Sequence, residues 1–347
     1  MQKLRAATFV ALVACGRTTG LPSGSPASSV PAYRVTDLGT GNPNFIDAEG
    51  RISGIGCSTD ARCGGAVYEQ GSGWSLAPLP QGAGTAVVKG TDSRGNMALD
   101  VHFPGSLRSG FWLAYIASPL QRIPVPALTA QDGSLEAGVG AINSAGHVVG
   151  WFADGLSSGA YFYDGSLTQI GKIGEATSAA AINSRDQVAG SFLHPDDGVW
   201  NSHAFRWENG VLQDLGTVAG TLTEATAIND SGVVAGWGMT SSLTGMSVIF
   251  RWDGQMHVLG CPQGTVTCHA FGINARGDIV GDALISVGGE RFAFVWRDGV
   301  FYRLDAVTQD ASGWRFETAM SVNDTGQVVG VGSLNGAENR AYLLTPR

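Results

Sequence analysis

The sequence predicts an all-β fold built from similar repeats, and three observations support this prediction. Short runs of Val, Ile, Phe, Tyr and Trp are separated by turn residues along the 347-residue chain, which contains 51 glycines and 13 prolines. One polar turn motif recurs seven times. No stretch has the apolar periodicity of 3.6 residues that a long helix requires. Because 44% of the residues are hydrophobic and only 14% are charged, the chain is apolar enough to fold around a core.

Residues 1–15 have the features of a lipoprotein-type signal peptide. Lys3 and Arg5 precede an apolar run that ends in LVAC at Cys15. This end resembles the bacterial lipobox, which implies that Cys15 is acylated and attaches the protein to a membrane. Gly16 then implies the outer membrane or cell surface. An ordinary cleaved signal peptide with an incidental cysteine is the alternative, and it predicts a periplasmic or secreted protein.

Residues 16–32 are predicted to be a flexible tether. Gly, Ser, Pro and Thr dominate this segment, and Arg17 is its only charged residue. Such a composition buries too little apolar area to offset the entropy of the chain. We therefore expect residues 33–347 to form one domain that stands clear of the bilayer on this tether.

Four further cysteines occur as two close pairs, Cys57 with Cys63 and Cys261 with Cys268. An exported chain meets an oxidising compartment, so we expect a local disulfide in each pair. Zinc binding is the alternative, but the spacing lacks a C-x2-C pair with a matching histidine.

The repeated turn motif decides the predicted architecture. In six of the seven copies an apolar residue precedes Asn or Asp and a short aliphatic run ends in Gly, and in most copies a Gly follows the Asn or Asp three residues later; the second copy, GTDSRGNMAL from Gly90, keeps only the Asp and this Gly. The Asn or Asp positions are 47, 92, 143, 183, 229, 274 and 323, which gives a mean spacing of 46 residues. Periods of this length are typical of propeller blades and of helical arrays, and the missing helical periodicity excludes the arrays.

Each copy is expected to be a β-hairpin. Its Asn side chain caps its own backbone in an Asx-turn, and Gly, or Asp186 in the fourth copy, takes positive φ. The Asx-turn residues are Asn143, Asn183, Asn229, Asn274 and Asn323. A second hairpin in four of the periods carries Asp-Gly or Asn-Gly, which is typical of a type I′ turn. The glycines of these second turns are Gly165, Gly210, Gly254 and Gly299.

Two hairpins per period give four strands, so the sequence predicts a seven-bladed β-propeller with four antiparallel strands per blade. The segment YRVTDLGT from Tyr33 matches the second strand of the aromatic hairpin, as in VLQDLGT from Val211, whereas the last repeat stops after AYLLTPR. We therefore expect the N-terminal strand to complete the C-terminal blade and to close the ring. A stacked β-solenoid is the alternative.

The segments HAFRWENGVLQDLGT from His203 and ATAINDSGVVAGW from Ala225 resemble the HAF-type extracellular repeat family. The resemblance covers residues 33–347, although the first two repeats fit it loosely. It implies a secreted or surface-attached bacterial β-repeat protein and no established catalytic activity. A second His-Ala-Phe at His269 lies in front of an Asn turn, out of register with the pattern, and is interpreted as a coincidence.

The connections that differ between repeats are predicted to share one face of the domain and to carry any binding site. One of these connections is chemically dense, and its candidate residues are His194, Asp196, Asp197, Trp200 and His203. A metal interpretation would use the two histidines and the two aspartates, with a plain solvated loop as the alternative. No metal and no cofactor is predicted.

Aromatic residues in the predicted connections are the other binding candidates. Trp200, Trp314 and Arg315 can stack on a sugar or on a side chain of a partner, because an aromatic ring covers a large area at little entropic cost. Packing within the loops is the alternative.

The net charge of -8 and the scattered Lys and Arg residues make nucleic acid a poor partner. No G-x-S-x-G nucleophile elbow is predicted, because the one such string, GLSSG from Gly155, is not followed by a segment with helical periodicity, and no H-E-x-x-H, P-loop or dinucleotide-binding motif occurs. The sequence therefore favours a lipid-anchored interaction module that binds a protein or a glycan. A carbohydrate-active hydrolase or lyase is an alternative, which a cluster of acids or a His-Tyr-Arg group at the mouth of the channel would favour. A purely structural envelope protein is the third hypothesis.

Overall fold

The computed structural model describes residues 30–104, 111–117, 119–125, 136–153, 158–171, 176–194, 201–219, 222–240 and 245–347. Contacts divide the chain into Met1–Val30 and Pro31–Arg347, and every described strand lies in the second part. The one helix among the described residues is the four-residue segment α1 (Leu304–Val307). The predicted all-β class is confirmed.

Five sheets have four antiparallel strands each, and the strands of each sheet follow one another in the chain. Their strands are β5 (Thr85–Thr91), β6 (Met97–Phe103), β7 (Phe111–Ala117) and β8 (Gln121–Arg122); β9 (Glu136–Ile142), β10 (Val148–Ala153), β11 (Ser158–Tyr163) and β12 (Leu167–Ile170); β13 (Thr177–Ile182), β14 (Val188–Leu193), β15 (Ser202–Glu208) and β16 (Val211–Gly216); β17 (Thr223–Ile228), β18 (Val234–Met239), β19 (Ser247–Trp252) and β20 (Met256–Gly260); β21 (Thr267–Ile273), β22 (Ile279–Leu284), β23 (Arg291–Arg297) and β24 (Val300–Arg303). The predicted four-stranded antiparallel sheets are therefore confirmed.

The sixth sheet has eight strands and contains both ends of the domain. Its strands are β1 (Tyr33–Ile46), β2 (Ile52–Cys57), β3 (Cys63–Glu69), β4 (Gly73–Leu76), β25 (Thr308–Gln309), β26 (Trp314–Val322), β27 (Val328–Leu334) and β28 (Ala337–Pro346). The long strand β1 belongs to two groups of four. Its first part pairs with β28, with Val35 opposite Leu344, and its second part pairs with β2, with Ile46 opposite Ile52.

The first strand of each group of four, counting the second part of β1, contributes residues to the lining of one shared cavity. This cavity of about 330 Å³ is lined by residues from all seven such strands, for example Phe45, Ala181 and Ser321. The first strands are therefore innermost, and the Asn turns that follow them lie at one common end of the cavity.

The repeated turns form as the sequence predicts. In the third copy, the Oδ1 atom of Asn143 accepts hydrogen bonds from the backbone N–H groups of Ala145 at 3.1 Å and His147 at 3.0 Å. Gly146 has a φ of 91°, and Asp186 takes the same left-handed conformation in the fourth copy with a φ of 61°. Local turn chemistry thus sets the position of each inner hairpin.

The second turns are of two kinds, so the prediction of type I′ for all four is wrong. Asn209-Gly210 and Asp298-Gly299 are two-residue loops in which both residues have positive φ. The loops at Gly165 and Gly254 contain three residues, and only their glycines have positive φ. One extra residue in the loop removes the need for a left-handed Asp.

The glycine that ends the aliphatic run in six of the copies permits a close approach between strands. A Cβ atom on Gly236 would lie 2.0 Å from the carbonyl oxygen of Glu224 and 2.8 Å from the ring of Phe250. Phe250 is fully buried between its own sheet and the preceding one, with Ala189 and Val234 in the same cluster. Burial of such a ring stabilises the fold by roughly 2–3 kcal/mol.

The two predicted disulfides are present. Cys57 is bonded to Cys63 and Cys261 to Cys268, with Cα atoms 4.1 and 5.7 Å apart. Disulfides persist in oxidising compartments, which indicates an extracellular or periplasmic protein. Within the described ranges, the short helix falls far below the length and apolarity that crossing a bilayer requires, and no other helix is present.

Candidate functional site

At the end of the cavity that carries the Asn turns, the polar side chains bind one another and hold neighbouring turns together. An opening of about 240 Å³ is lined by turn residues from the seven copies. The side-chain amides of five asparagines each donate to the carbonyl oxygen of the next copy's Asn, or, for Asn323, of Asp47. These five donors are Asn143, Asn183, Asn229, Asn274 and Asn323, and their bonds measure 3.0, 2.9, 3.0, 3.3 and 3.0 Å.

The two remaining links of this circuit use other donors. The first two copies have Asp in place of Asn, and Arg51 donates to the carbonyl oxygen of Asp92 at 2.8 Å, while the hydroxyl of Ser93 donates to that of Ser144 at 2.9 Å. Because these polar groups bind one another, this end of the domain serves the scaffold.

The opposite end holds a group of interacting side chains from neighbouring sheets, which we call the His269 cluster. Its members are Glu224 of β17, Trp237 of β18, Ser247 of β19, His269 of β21, Asp282 of β22 and Arg291 of β23. Glu224 and His269 occupy equivalent positions on adjacent innermost strands, opposite Trp237 and Asp282 respectively. The repeat therefore places an acid, an imidazole and an indole side by side.

Asp282 is the buried anchor of the cluster. Its side chain is 3% exposed and binds the Nδ1 atom of His269 at 3.0 Å and the guanidinium of Arg291 at 2.6 Å. The hydroxyl of Thr318 in the next group of strands donates to the same carboxylate at 3.3 Å. A carboxylate removed from water needs such partners, and in return it fixes the orientation of His269 and Arg291.

Ser247, His269 and Asp282 have the connectivity of a hydrolytic triad, but Ser247 is placed as a structural link. Its Oγ atom lies 3.3 Å from the Nε2 atom of His269, and its hydroxyl donates to the carbonyl oxygen of Cys268 at 3.0 Å. Ser247 is 3% exposed. A nucleophile must reach its substrate, so this serine contributes to the position of the imidazole instead.

Glu224 and Trp237 form the partly exposed side of the cluster. The ring of Trp237 makes a T-shaped contact with His269, with centroids 4.6 Å apart. Burial raises the pKa of Glu224 above its ordinary value of 4.5, and the nearby His269 partly offsets this rise. A half-buried carboxyl, an imidazole and an indole thus meet where solvent can reach them.

No family model matches the chain, and no curated protein matches it. Solved structures do. The chain is similar to the β-propeller domain of the Trilobed protease from Pyrococcus furiosus, with 10% identity, a TM-score of 0.54 and coverage of 90% of this chain and 95% of that chain. It is also similar to the acylaminoacyl peptidase from Pyrococcus horikoshii, with 11% identity, a TM-score of 0.50 and coverage of 85% and 49%.

The fold is of the β-propeller type. At these identities the likeness concerns the fold alone. Virginiamycin B lyase from Staphylococcus aureus is a further similar structure, at 13% identity and a TM-score of 0.48, with coverage of 90% of this chain and 99% of that chain.

The propeller brings together two of the binding residues predicted from the sequence and adds a third. His194 follows β14, and its ring stacks on that of His203 in β15. The Nδ1 atom of His203 lies 2.9 Å from a carboxylate oxygen of Asp214, which the sequence analysis did not select. Asp196, Asp197 and Trp200 lie outside the described residues, as does Cys15.

Trp314 and Arg315 do not lie in a connecting loop as predicted. They begin the innermost strand β26, which is long because it contains two bulges. The ring of Trp314 stacks on Phe316 with centroids 5.5 Å apart, and it also contacts the edge of Tyr342. Arg315 is exposed. Part of the surface of Trp314 is therefore used in packing the propeller.

Most of the His269 cluster was missed by sequence reasoning. The signal was present at His269, where a second His-Ala-Phe stands out of register with the family pattern. Read in register with the Asn turns, His269 is equivalent to Glu224 and not to His203. Aligning the repeats on their turns, position by position, would have placed both residues on one rim.

Proposed function

We propose that this protein is an exported binding module, a closed seven-bladed β-propeller that holds a neutral glycan at the His269 cluster. Seven groups of four strands share one axis if β1 serves as the outer strand of one blade and the inner strand of the next. The circuit of hydrogen bonds from Asp47 to Asn323 and back to Asp47 supports closure, because a stacked solenoid would leave its first and last turns far apart.

The observation that carries the binding proposal is the meeting of Glu224, Trp237 and His269 on adjacent blades. Sugars are bound by an aromatic ring that covers their C–H face, together with polar groups that fix their hydroxyls. Trp237 is partly buried and held beside His269, so it loses little side-chain freedom on binding. Arg291, with a side chain 49% exposed, adds hydrogen-bond donors next to them.

Charge favours a neutral ligand. Arg291 and Asp282 neutralise each other through their 2.6 Å ion pair. Burial raises the pKa of Glu224, which means that its surroundings disfavour a negative charge there. A ligand carrying a carboxylate or phosphate would find no excess positive charge, whereas hydroxyl groups can use each of these side chains.

Attachment to the cell surface belongs to the same proposal. We place the acyl chains on Cys15 and a tether over residues 16–32, and we relate the chain to the HAF-type repeat family on the motif that begins at His203. Two disulfides are consistent with export. Palmitate labelling of the expressed chain and of a Cys15→Ala variant tests this part: label that persists in the variant, or is absent from both, contradicts it.

Binding is tested with the purified full chain on an array of neutral and acidic glycans, followed by calorimetric titration of the best ligand. We expect Trp237→Ala to weaken binding at least tenfold, about 1.4 kcal/mol. Trp151→Ala is the matched control, since Trp151 occupies the equivalent position on β10 and is also partly buried. Binding by acidic glycans only, by proteins only, or equally by both variants would contradict the proposal.

A carbohydrate-active hydrolase is the second candidate, because Glu224 has the raised pKa of a general acid and lies close to His269. Asp282 is unsuited to be the second acid, since it is buried and holds three partners. Incubation of the bound glycan with the wild-type chain and with Glu224→Gln separates the two functions. Products formed by the wild type alone would establish hydrolysis, and an intact glycan with both would leave binding as the function.

A further inference from the structure

Three side chains of types that can bind a metal ion lie together at one end of the sheet formed by β13 to β16. His194 follows β14, His203 lies in β15 and Asp214 lies in β16, so adjacent strands supply all three. One ligand atom from each residue lies within 4.8 Å of the other two. The rings of His194 and His203 stack with their centroids 4.5 Å apart.

The equivalent position in another sheet of the propeller holds a different pair of residues. Asp37 in β1 is the repeat equivalent of Asp214: each accepts a hydrogen bond from the backbone N–H of the glycine two residues later, at 3.0 and 2.7 Å. The partner of Asp37 is Arg340, at the position equivalent to His203. One blade therefore has an ordinary ion pair where the other has a carboxylate and two imidazoles.

We propose that His194, His203 and Asp214 bind one first-row transition-metal ion, with Zn²⁺ the best fit. Two imidazoles and one carboxylate are the ligand types of open zinc sites, whereas Mg²⁺ and Ca²⁺ prefer oxygen ligands alone. Three protein ligands leave the fourth tetrahedral position for water or for a group on a bound molecule. The side chain of Asp214 is 40% exposed, so an ion can enter from solvent.

The short contact between His203 and Asp214 is compatible with this ion. Its Nδ1 and Oδ2 atoms lie 2.9 Å apart, and tetrahedral coordination at zinc requires roughly 3.3 Å. An opening of about 0.4 Å suffices, with the imidazole hydrogen on the other ring nitrogen. The bond from the Gly216 N–H to Asp214 holds the carboxylate in place, as outer partners do in metal sites.

The test is calorimetric titration of Zn²⁺ into the full chain after treatment with EDTA, with metal content measured after desalting. We expect one ion per chain, and at least tenfold weaker binding for His194→Ala and for Asp214→Asn. His203→Arg is the decisive variant, because it can restore the ion pair seen between Arg340 and Asp37 while it removes a ligand. It should fold like the wild type and lose the ion.

Two controls address unspecific binding. His257 pairs with Asp253 at 2.9 Å and belongs to no group of three potential ligands among the described residues, so His257→Ala should bind Zn²⁺ like the wild type. Asp37→Asn should do the same. The proposal is wrong if the wild type takes up no stoichiometric ion, if His203→Arg retains it, or if either control loses it.

Discussion

The carbonyl oxygen of Asp47 accepts a 3.0 Å hydrogen bond from the side-chain amide of Asn323, 276 residues later in the chain. The same side chain also shapes its own turn, since its Oδ1 atom accepts the backbone N–H of Gln327 at 2.9 Å. One residue type therefore does two tasks in the repeat. It closes the local hairpin and holds the neighbouring one.

The two tasks can be separated by Asn323→Asp. The carboxylate keeps the oxygen that accepts the N–H of Gln327, but it loses the amide that donates to Asp47. A buried carbonyl is then left facing a carboxylate, and we expect the free energy of unfolding to fall by about 1–3 kcal/mol in urea titrations. Thr325→Ala removes a bond within the same turn and should cost less. Equal midpoints for Asn323→Asp and the wild type would show that the link carries no stability.

Local chemistry explains how much of this fold the sequence predicts. An Asn or Asp followed by a left-handed residue forms its turn within five residues, so seven turns can be found without knowing any distant contact. The match of YRVTDLGT to an outer strand also places Tyr33 beside the last strand, as its pairing with Pro346 shows. Lengths of turns and bulges escape this reasoning, which is why two loops and the start of β26 were misassigned.

The candidate sites depend on contacts between strands that the sequence separates. His269 acts electrostatically on Glu224, 45 residues earlier, and its imidazole binds Asp282 across a hairpin, and no short motif records either relationship. The partner of His203 was missed for a similar reason. In the sequence, Asp214 belongs to the repeated DLGT motif of an outer strand. Its carboxylate reaches His203 only when β15 and β16 pair.

The glycine at the end of the aliphatic run provides a prediction about packing. Gly236→Ala would place a methyl group 2.0 Å from the carbonyl oxygen of Glu224 and against the ring of Phe250. The backbone and the buried ring cannot both move to make room for this methyl group. We therefore expect the free energy of unfolding to fall by more than about 2 kcal/mol. Gly64→Ala is the control, because a Cβ atom there meets nothing within 4 Å. Its unfolding midpoint should stay within about 0.5 kcal/mol of the wild type.

The two disulfides should differ in their effect on binding. Replacing Cys261 and Cys268 by serine opens a short loop and should lower stability by about 2–3 kcal/mol. His269 directly follows Cys268, so this variant should also bind the glycan at the His269 cluster with lower affinity. Replacing Cys57 and Cys63 should cost similar stability and leave binding unchanged. Thermal unfolding and glycan titration measure the two effects, and equal binding losses in both variants would contradict the local role of Cys268.

The half-buried carboxyl group of Glu224 should make the folded protein less stable as the pH rises. Because burial raises the pKa of its carboxyl in the folded state, the folded protein holds that proton more tightly than the unfolded chain does. The resulting stabilisation is present below the ordinary value of 4.5 and is lost as the pH rises through the folded pKa. Glu224→Gln stays neutral throughout, so it should be more stable than the wild type at neutral pH, and this difference should shrink towards about pH 4.

Urea unfolding of both proteins between about pH 4 and pH 7 measures this difference. His269 lowers the pKa of Glu224, so the comparison is repeated in a His269→Gln background. The sign of the dependence should survive there, because His269 lowers the pKa of Glu224 and burial raises it. Glu338→Gln, which removes an exposed carboxylate on β28, controls for net charge. If Glu224→Gln and Glu338→Gln show the same pH dependence of stability relative to the wild type, Glu224 is not held in a desolvated site.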